Sequence, residues 1–468
     1  MNLGTIVRSV SKLTIILIFF WLVSTSTIQD QVLGVVLLAI ILWSFYPSRH
    51  LESSILIIAI LVVLQATLDV EGFISNLFRV YGGSGLWIII SGFILAKGME
   101  VSGLGKRIAL VIATSLGTKP RNILLAIAIT SFAISPLSPS TTAKAFLILP
   151  ICIGLVEAFG VEKGRSNFGA AVMIMAMAAN NICSTAFLTA TVPNPISAGY
   201  LADIGLELDW VRWFEMAFPL TILLLAVSYL LLIFMFKPEV EANRNTLQKV
   251  KELRESLGPI KGSEKTVAII FLLAIVLWIS EQYNPFNVGL LSLLLSLVLI
   301  LPQAGVMEPK GFGSSIPWGS IALFAASMFL ARAVGEYHAL DSVTLSLFNI
   351  LNLEKFEATM LISVIVLVAM MLHIVFTSTT VYATVMVPIA IGLTQLHGLD
   401  PVLTALPIAV LAPVAIILPV NTIPNIIFYG EGWFNEKQMA IYGIVLSILS
   451  VTLVLLIGIP YWRLLGVI

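Results

Sequence analysis

Apolar runs of about twenty residues, almost free of charge, recur from one end of this chain to the other, and they limit what it can become. A helix needs about 20 apolar residues to cross a bilayer core. Such runs fall at roughly 11–29, 31–47, 52–69, 84–99, 168–190, 212–236, 266–281, 286–302, 317–334, 403–428 and 439–461. Of the 468 residues, 59% are hydrophobic and 11% charged, against about 25% charged in an ordinary soluble domain. A soluble fold of this length leaves too much surface wet to hide such a composition. The pattern predicts an all-α polytopic membrane protein with about 11 transmembrane helices, because only helices or closed barrels satisfy their backbone in lipid. A formal net charge of zero argues against a nucleic-acid partner.

Two further apolar stretches, 122–157 and 357–396, are each too long for one crossing and are broken midway by Ser, Thr and, in the first, Pro. A re-entrant helical hairpin fits both, since irregular backbone at membrane depth must be buried in protein or line a wet cavity. The polar segment 237–265 holds seven Lys/Arg and five Glu and reads as a solvated, partly helical cytoplasmic linker. It separates a first repeat, 31–236, from a second, 266–468, and residues 1–30 read as a retained N-terminal helix rather than a cleaved signal, for want of a small-residue cleavage site. With the N-terminus inside, 18 Lys/Arg fall on the inner side and five on the outer, which places the C-terminus outside a cell membrane. Trp87, Trp210, Trp213, Trp433 and Trp462 fall near span ends and predict an interfacial aromatic belt.

The halves echo each other. Ser140-Thr141-Thr142 precedes Pro150 by the spacing at which Ser378-Thr379-Thr380 precedes Pro388, an offset of 238. Thr191-x-Pro193-Asn194 returns as Thr422-x-Pro424-Asn425 at an offset of 231, and Ala96 pairs with Ala331 at 235. On the predicted topology the first hairpin enters from inside and the second from outside. The repeats are then inverted, and the site lies near the midplane where broken helices meet. Free helix N-termini there favour anions.

A lone Ser/Thr triplet in a membrane helix usually bonds back to its own carbonyls. Two triplets at matched positions in broken hairpins point instead to a ligand with two carboxylates. The Pro-Asn elements are either kinks that pack or parts of the site. Lys144 lies four residues past Ser140 in an apolar arm, where a cation is costly unless paired, and it reads either as a functional, charge-compensating group or as a lysine snorkelling to an aqueous face. His373, five residues before Ser378, holds a comparable place in the other hairpin and reads either as a charge-compensating group or as a hydrogen-bonded core histidine. Lys97 and Arg332, at span ends, read as snorkelling cations. Cys152 and Cys183 have no CxxC spacing and read as core residues, the histidines are too scattered for a metal, and no HExxH, GxSxG or Walker A motif occurs. No enzyme, cofactor or ATP-driven pump is indicated.

These paired triplets and Thr-x-Pro-Asn elements, across roughly residues 30 to 460, resemble the signatures of the divalent anion/sodium symporter family, the INDY-type carriers. The resemblance implies a homodimeric elevator-type transporter, with a fixed scaffold and a mobile domain carrying the hairpins and broken helices. It implies substrates such as succinate, malate, fumarate, 2-oxoglutarate or citrate. By position, Ser140, Thr141, Thr142, Ser378, Thr379 and Thr380 would contact carboxylates, and Thr191, Asn194, Thr422 and Asn425 would complete the site or shape its backbone. The family's symporters have Asn where Thr141 and Thr379 stand, and a first Pro where Val192 and Ile423 stand. Those regions also wrap sodium in the symporters. The string SPSTTAK, with its basic residue after the triplet, is closer to the exchanger branch of citrate/succinate antiporters and 2-oxoglutarate/malate translocators. The expected function is therefore sodium-independent dicarboxylate exchange, with sodium-coupled symport as the alternative.

Overall fold

The structure, a computed structural model, describes residues 27–46, 49–68, 81–309 and 312–468, with scattered positions among residues 14–25 and 70–78. Most of the first expected span therefore lies outside the described residues. The rest is helical. In chain order the main helices are α1 (Ile28–Phe45), α2 (His50–Leu68), α3 (Ser84–Ser102), α4 (Leu104–Ser115), α5 (Pro120–Ile134), α6 (Thr141–Phe159), α7 (Asn167–Cys183), α8 (Pro193–Asp203) and α9 (Trp210–Met235). Then come α10 (Arg244–Glu255), α11 (Gly262–Ile279), α12 (Val288–Leu297), α13 (Trp318–Glu336), α14 (Asp341–Ile350), α15 (Ala358–Leu372), α16 (Thr379–Leu396), α17 (Val402–Leu411), α18 (Ile423–Gly430) and α19 (Glu436–Leu453). Among the described residues, ten helices are long and apolar enough to cross a membrane. That set differs in membership from the expected eleven, because it counts α5, α6 and α16, which were expected as hairpin arms.

Local chemistry sets the ends. Thr27, Ser166, Asp209, Asn287 and Asn435 each accept a backbone N–H of the first turn of the helix that follows, satisfying donors that helical bonding leaves open. In the polar linker, Asn243 and Thr246 form a reciprocal cap that starts α10, which packs on both α4 and α6. Arg107 ties the end of that linker down, bonding Glu264 at 2.8 Å and the carbonyls of Leu257, Gly258 and Pro259.

The internal echo extends to whole helices. α1 and α11 both have 18 residues, α3 and α13 both 19, and α5 and α15 both 15. Packing repeats as well: α3 lies against α12, and α2 against α13. The halves also interlock crosswise, with α8 packed on α16 and α18 on α6.

Two expected spans are discontinuous. The run 168–190 ends as a helix at Cys183, and 403–428 stops at Leu411 and resumes at Ile423. In the second, Pro413 and Pro419 cannot donate to the preceding turn. The aromatic belt is also corrected. Trp213 and Trp462 are fully buried, with their N–H groups on the carbonyls of Thr185 and Met216, and Trp210 is buried against Thr189. A buried indole needs an acceptor; the break after α7 supplies those of Trp213 and Trp210, and a carbonyl within α9 that of Trp462.

Candidate functional site

Helices α5 and α6 are joined by Ser135-Pro136-Leu137-Ser138-Pro139-Ser140. The two prolines withhold N–H groups and stop α5. Ser138 Oγ accepts the N–H of Ser140, and Ser140 Oγ accepts that of Ala143 at 3.1 Å, which starts α6 at the triplet. The second pair, α15 and α16, turns without a proline. Asn421 Nδ2 holds that turn, donating to the carbonyls of His373 at 2.6 Å and Phe376 at 3.2 Å, and Ser378 caps α16.

Each broken helix is held by its predicted asparagine. Asn194 Nδ2 donates to the carbonyls of Ser184 and Phe187, both at 2.8 Å. Asn425 Nδ2 donates to those of Ala415 at 2.8 Å and Leu418 at 3.2 Å. The acceptors are themselves 231 apart, as the asparagines are. Both side chains thus shape backbone. Thr191 and Thr422 stand just before the restarting helices in extended conformation, and Thr422 Oγ1 accepts the Asn425 N–H.

Lys144 is buried in α6. Its Nζ donates to Ser184 Oγ at 2.7 Å and to Ala190 O at 2.8 Å, both in the break of the neighbouring helix. Among the described residues, no carboxylate pairs with it; neutral oxygens hold the ammonium. His373 is also buried, with Nδ1 at 3.2 Å from Met370 O, Nε2 at 3.1 Å from Ala412 O, and its ring stacked on Tyr382 at 3.7 Å between centroids. In the frame of the repeat the two are not mates. Lys144 corresponds to Tyr382, and His373 to Ser135.

A cavity of about 610 Å³ reaches the first triplet, lined by Ser138, Ser140, Thr142 and Lys144 on one wall and by Lys97, Glu100 and Lys106 on the other. A second cavity, about 470 Å³, is lined by Tyr200, Asp203, Arg332, Glu336, His338, Asp341, Pro388 and Gln395. Lys97 and Arg332, Lys106 and Asp341, and Pro150 and Pro388 are repeat mates, so the cavities are repeat mates too. The second cavity stops short of its triplet: Ser378, Thr379 and Thr380 line neither. Lys97 and Arg332, expected to snorkel, are ion-paired instead, Lys97 with Glu100 at 2.8 Å and Arg332 with Asp203.

Sequence reasoning missed several residues. Asn180 Nδ2 donates to Thr141 O at 2.9 Å, and Asn181 Nδ2 to Asn425 Oδ1 at 3.0 Å, joining the halves. Ser184 and Asn421 were missed as well. The adjacent asparagines inside an apolar run were the available signal, since a polar group at membrane depth needs a partner. The capped N-terminus of α6, Thr142 and Lys144 thus bring hydrogen-bond donors to one cavity, a chemistry suited to an anion.

The model of the family described as the sodium:sulfate symporter transmembrane region matches residues 5–468. The chain is 25% identical over 392 residues to the citrate/succinate antiporter of Escherichia coli K12, covering 81% of this chain and 79% of that one. It is 27% identical to a sodium-dependent dicarboxylate transporter of Staphylococcus saprophyticus, covering 97% and 91%. Among solved structures, the YdaH transporter of Alcanivorax borkumensis matches with a TM-score of 0.57 at 13% identity, over 89% of this chain and 99% of that one; this likeness concerns the fold alone.

Proposed function

The chain belongs to the sodium:sulfate symporter family, the divalent anion/sodium symporter group of membrane transporters rather than enzymes, and we propose that it exchanges small dicarboxylates without sodium. The observation that carries this reading is Lys144: a buried ammonium, held only by neutral oxygens, beside the hydroxyls of Ser140 and Thr142. A dianion at membrane depth needs compensating charge. A sodium ion leaves with its substrate, whereas a tethered ammonium stays. The empty carrier then has to move a bare cation, at about 2.3 kcal/mol per charge per 100 mV, and only the loaded carrier crosses easily. Obligatory exchange follows. The two relatives named above, one an antiporter of citrate and succinate and one a dicarboxylate transporter, support small dicarboxylates as the class; within it succinate, malate, fumarate and 2-oxoglutarate are the proposed substrates, with the tricarboxylate citrate beside them.

The proposal extends to mechanism. The two helix pairs re-enter the membrane from opposite faces and, with the broken helices, ride as one body past a scaffold made of the remaining helices. The carrier works as a homodimer in the plasma membrane, N-terminus cytoplasmic. The second triplet closes on the other carboxylate when that body moves, and His373, beside Tyr382, assists Lys144 in balancing charge.

One observation favours sodium symport as a second reading. Asn180 Oδ1, Thr185 Oγ1 and Asn194 Oδ1 are buried around the break with no hydrogen-bond partner among the described residues, and such oxygens suit a cation. Liposomes holding purified protein decide between the readings, with labelled succinate outside, unlabelled dicarboxylate inside or absent, and sodium present or replaced by potassium. Uptake that needs internal dicarboxylate and ignores sodium is expected. Uptake into empty vesicles driven by a sodium gradient overturns exchange.

A further inference from the structure

The two cavities differ in how far they penetrate, and an ion pair between the two halves lines the one that stops short of its triplet. Arg332, on α13, pairs with Asp203, the last residue of α8, 129 positions earlier in the chain. Both side chains are mostly buried, at 22% and 26% exposure. Beside them Tyr200 Oη donates to Thr384 O at 2.9 Å, between Pro388, which lines the cavity, and the triplet at 378–380. At the other end Lys97, the repeat mate of Arg332, bonds a carboxylate of its own helix, Glu100, and no other among the described residues, and its cavity runs on to Ser140 and Lys144.

We infer that Arg332 and Lys97 are alternating latches, each closing one face of the carrier by pairing with the acidic residue at the end of the opposite half's broken helix. For Arg332 that residue is Asp203. For Lys97 it is Glu431, which caps the end of α18 as Asp203 ends α8, and which here makes only a loose 3.7 Å contact with Lys163. The inference rests on the elevator reading above. In it α8 and α18 travel with the triplets while α3 and α13 stay still. Sliding that body toward the Arg332 end carries Asp203 away from Arg332 and brings Glu431 up to Lys97. An ion pair made in one state and broken in the other biases the equilibrium by its own strength, and a pair of this exposure shifts a two-state ratio by about fivefold.

The test reads the balance of states in purified full-length protein carrying Phe146→Cys, a position 60% exposed on the open cavity's wall, while Cys152 and Cys183 are buried. Its labelling by a hydrophilic maleimide reports the state described here. Asp203→Asn and Arg332→Gln should each slow labelling about fivefold. The swap Asp203→Arg with Arg332→Asp should restore it, and it serves as the control for folding of the single variants. Lys97→Gln and Glu431→Gln should speed labelling. Unchanged labelling in the Asp203 and Arg332 variants, or slowing that the swap fails to reverse, overturns the latch. Succinate exchange by the parent protein in vesicles is measured alongside: its absence removes the transport reading, whereas intact exchange with unmoved labelling removes the latch alone.

Discussion

In the first half a lysine reaches from the helix pair into the broken helix, Lys144 Nζ donating to Ala190 O at 2.8 Å. In the second half the same junction is bridged in the opposite direction. Asn421, the repeat mate of Ala190, donates back to His373 O at 2.6 Å. Both solutions satisfy carbonyls that a break leaves without helical donors, which lipid cannot satisfy. Only the first carries an ammonium. The mate of Lys144 is Tyr382, whose ring instead stacks on His373. The backbone plan is thus duplicated while the charge is not: the duplicated elements hold the frame, and on the proposed reading the unique ammonium is what meets the ligand's charge. The cavities repeat the lesson. The one reaching Lys144 also carries Lys97 and Lys106 with Glu100, whereas its mate carries Asp203, Glu336 and Asp341 with Arg332.

The strongest way to break the comparison is Lys144→Ala. Succinate affinity should fall about a hundredfold, roughly 3 kcal/mol, because a ligand carboxylate then faces a buried site with no counter-charge. Titration calorimetry checks it, and unchanged affinity would assign the ligand's charge to another group. Next come the duplicated asparagines. Asn194→Ala leaves the Ser184 carbonyl without its donor and takes one of two donors from the Phe187 carbonyl, while Asn425→Ala takes one of two donors from each of the Ala415 and Leu418 carbonyls; the variants should lower unfolding stability by about 1–3 kcal/mol, read as a drop in melting temperature. Asn194→Ala should be the worse, since after Asn425→Ala the Ala415 carbonyl keeps Asn181 and the Leu418 carbonyl keeps the Asn421 N–H. Gly443→Ala probes a close approach in the second half. A Cβ there would lie 2.4 Å from Ile416 O, against the break between α17 and α18. Backbone must shift, at a cost of about 1–3 kcal/mol, and a variant as stable as the parent would mean that this break tolerates movement. The smallest effect is expected at Lys106. Lys106→Gln should weaken the field of its cavity, raising the half-saturating succinate concentration about twofold from that face only, less so at high salt. An equal change from both faces would count against a one-sided field.

Much of the frame was readable without coordinates. Pro136, Pro139 and the triplet marked where α5 ends and α6 begins, and the spacing to Pro150 and Pro388 exposed the duplication. Hydropathy and turn chemistry are local, so they survive in a linear string. Partner choice is not local. That Lys144 would meet Ser184 and Ala190, 40 and 46 residues on, depends on how α6 packs beside the break after α7. That Asn194 and Asn425 would serve the backbone, or that Arg332 would find Asp203 rather than water, depends on the same packing. In a bilayer every apolar face meets an equally apolar solvent, so hydrophobicity alone cannot rank one neighbour over another. That the chain is a run of apolar helices, and roughly where most of them lie, followed from the sequence; where spans break and which polar groups meet inside them was decided by the tertiary structure, because only close packing brings those donors and acceptors within bonding distance.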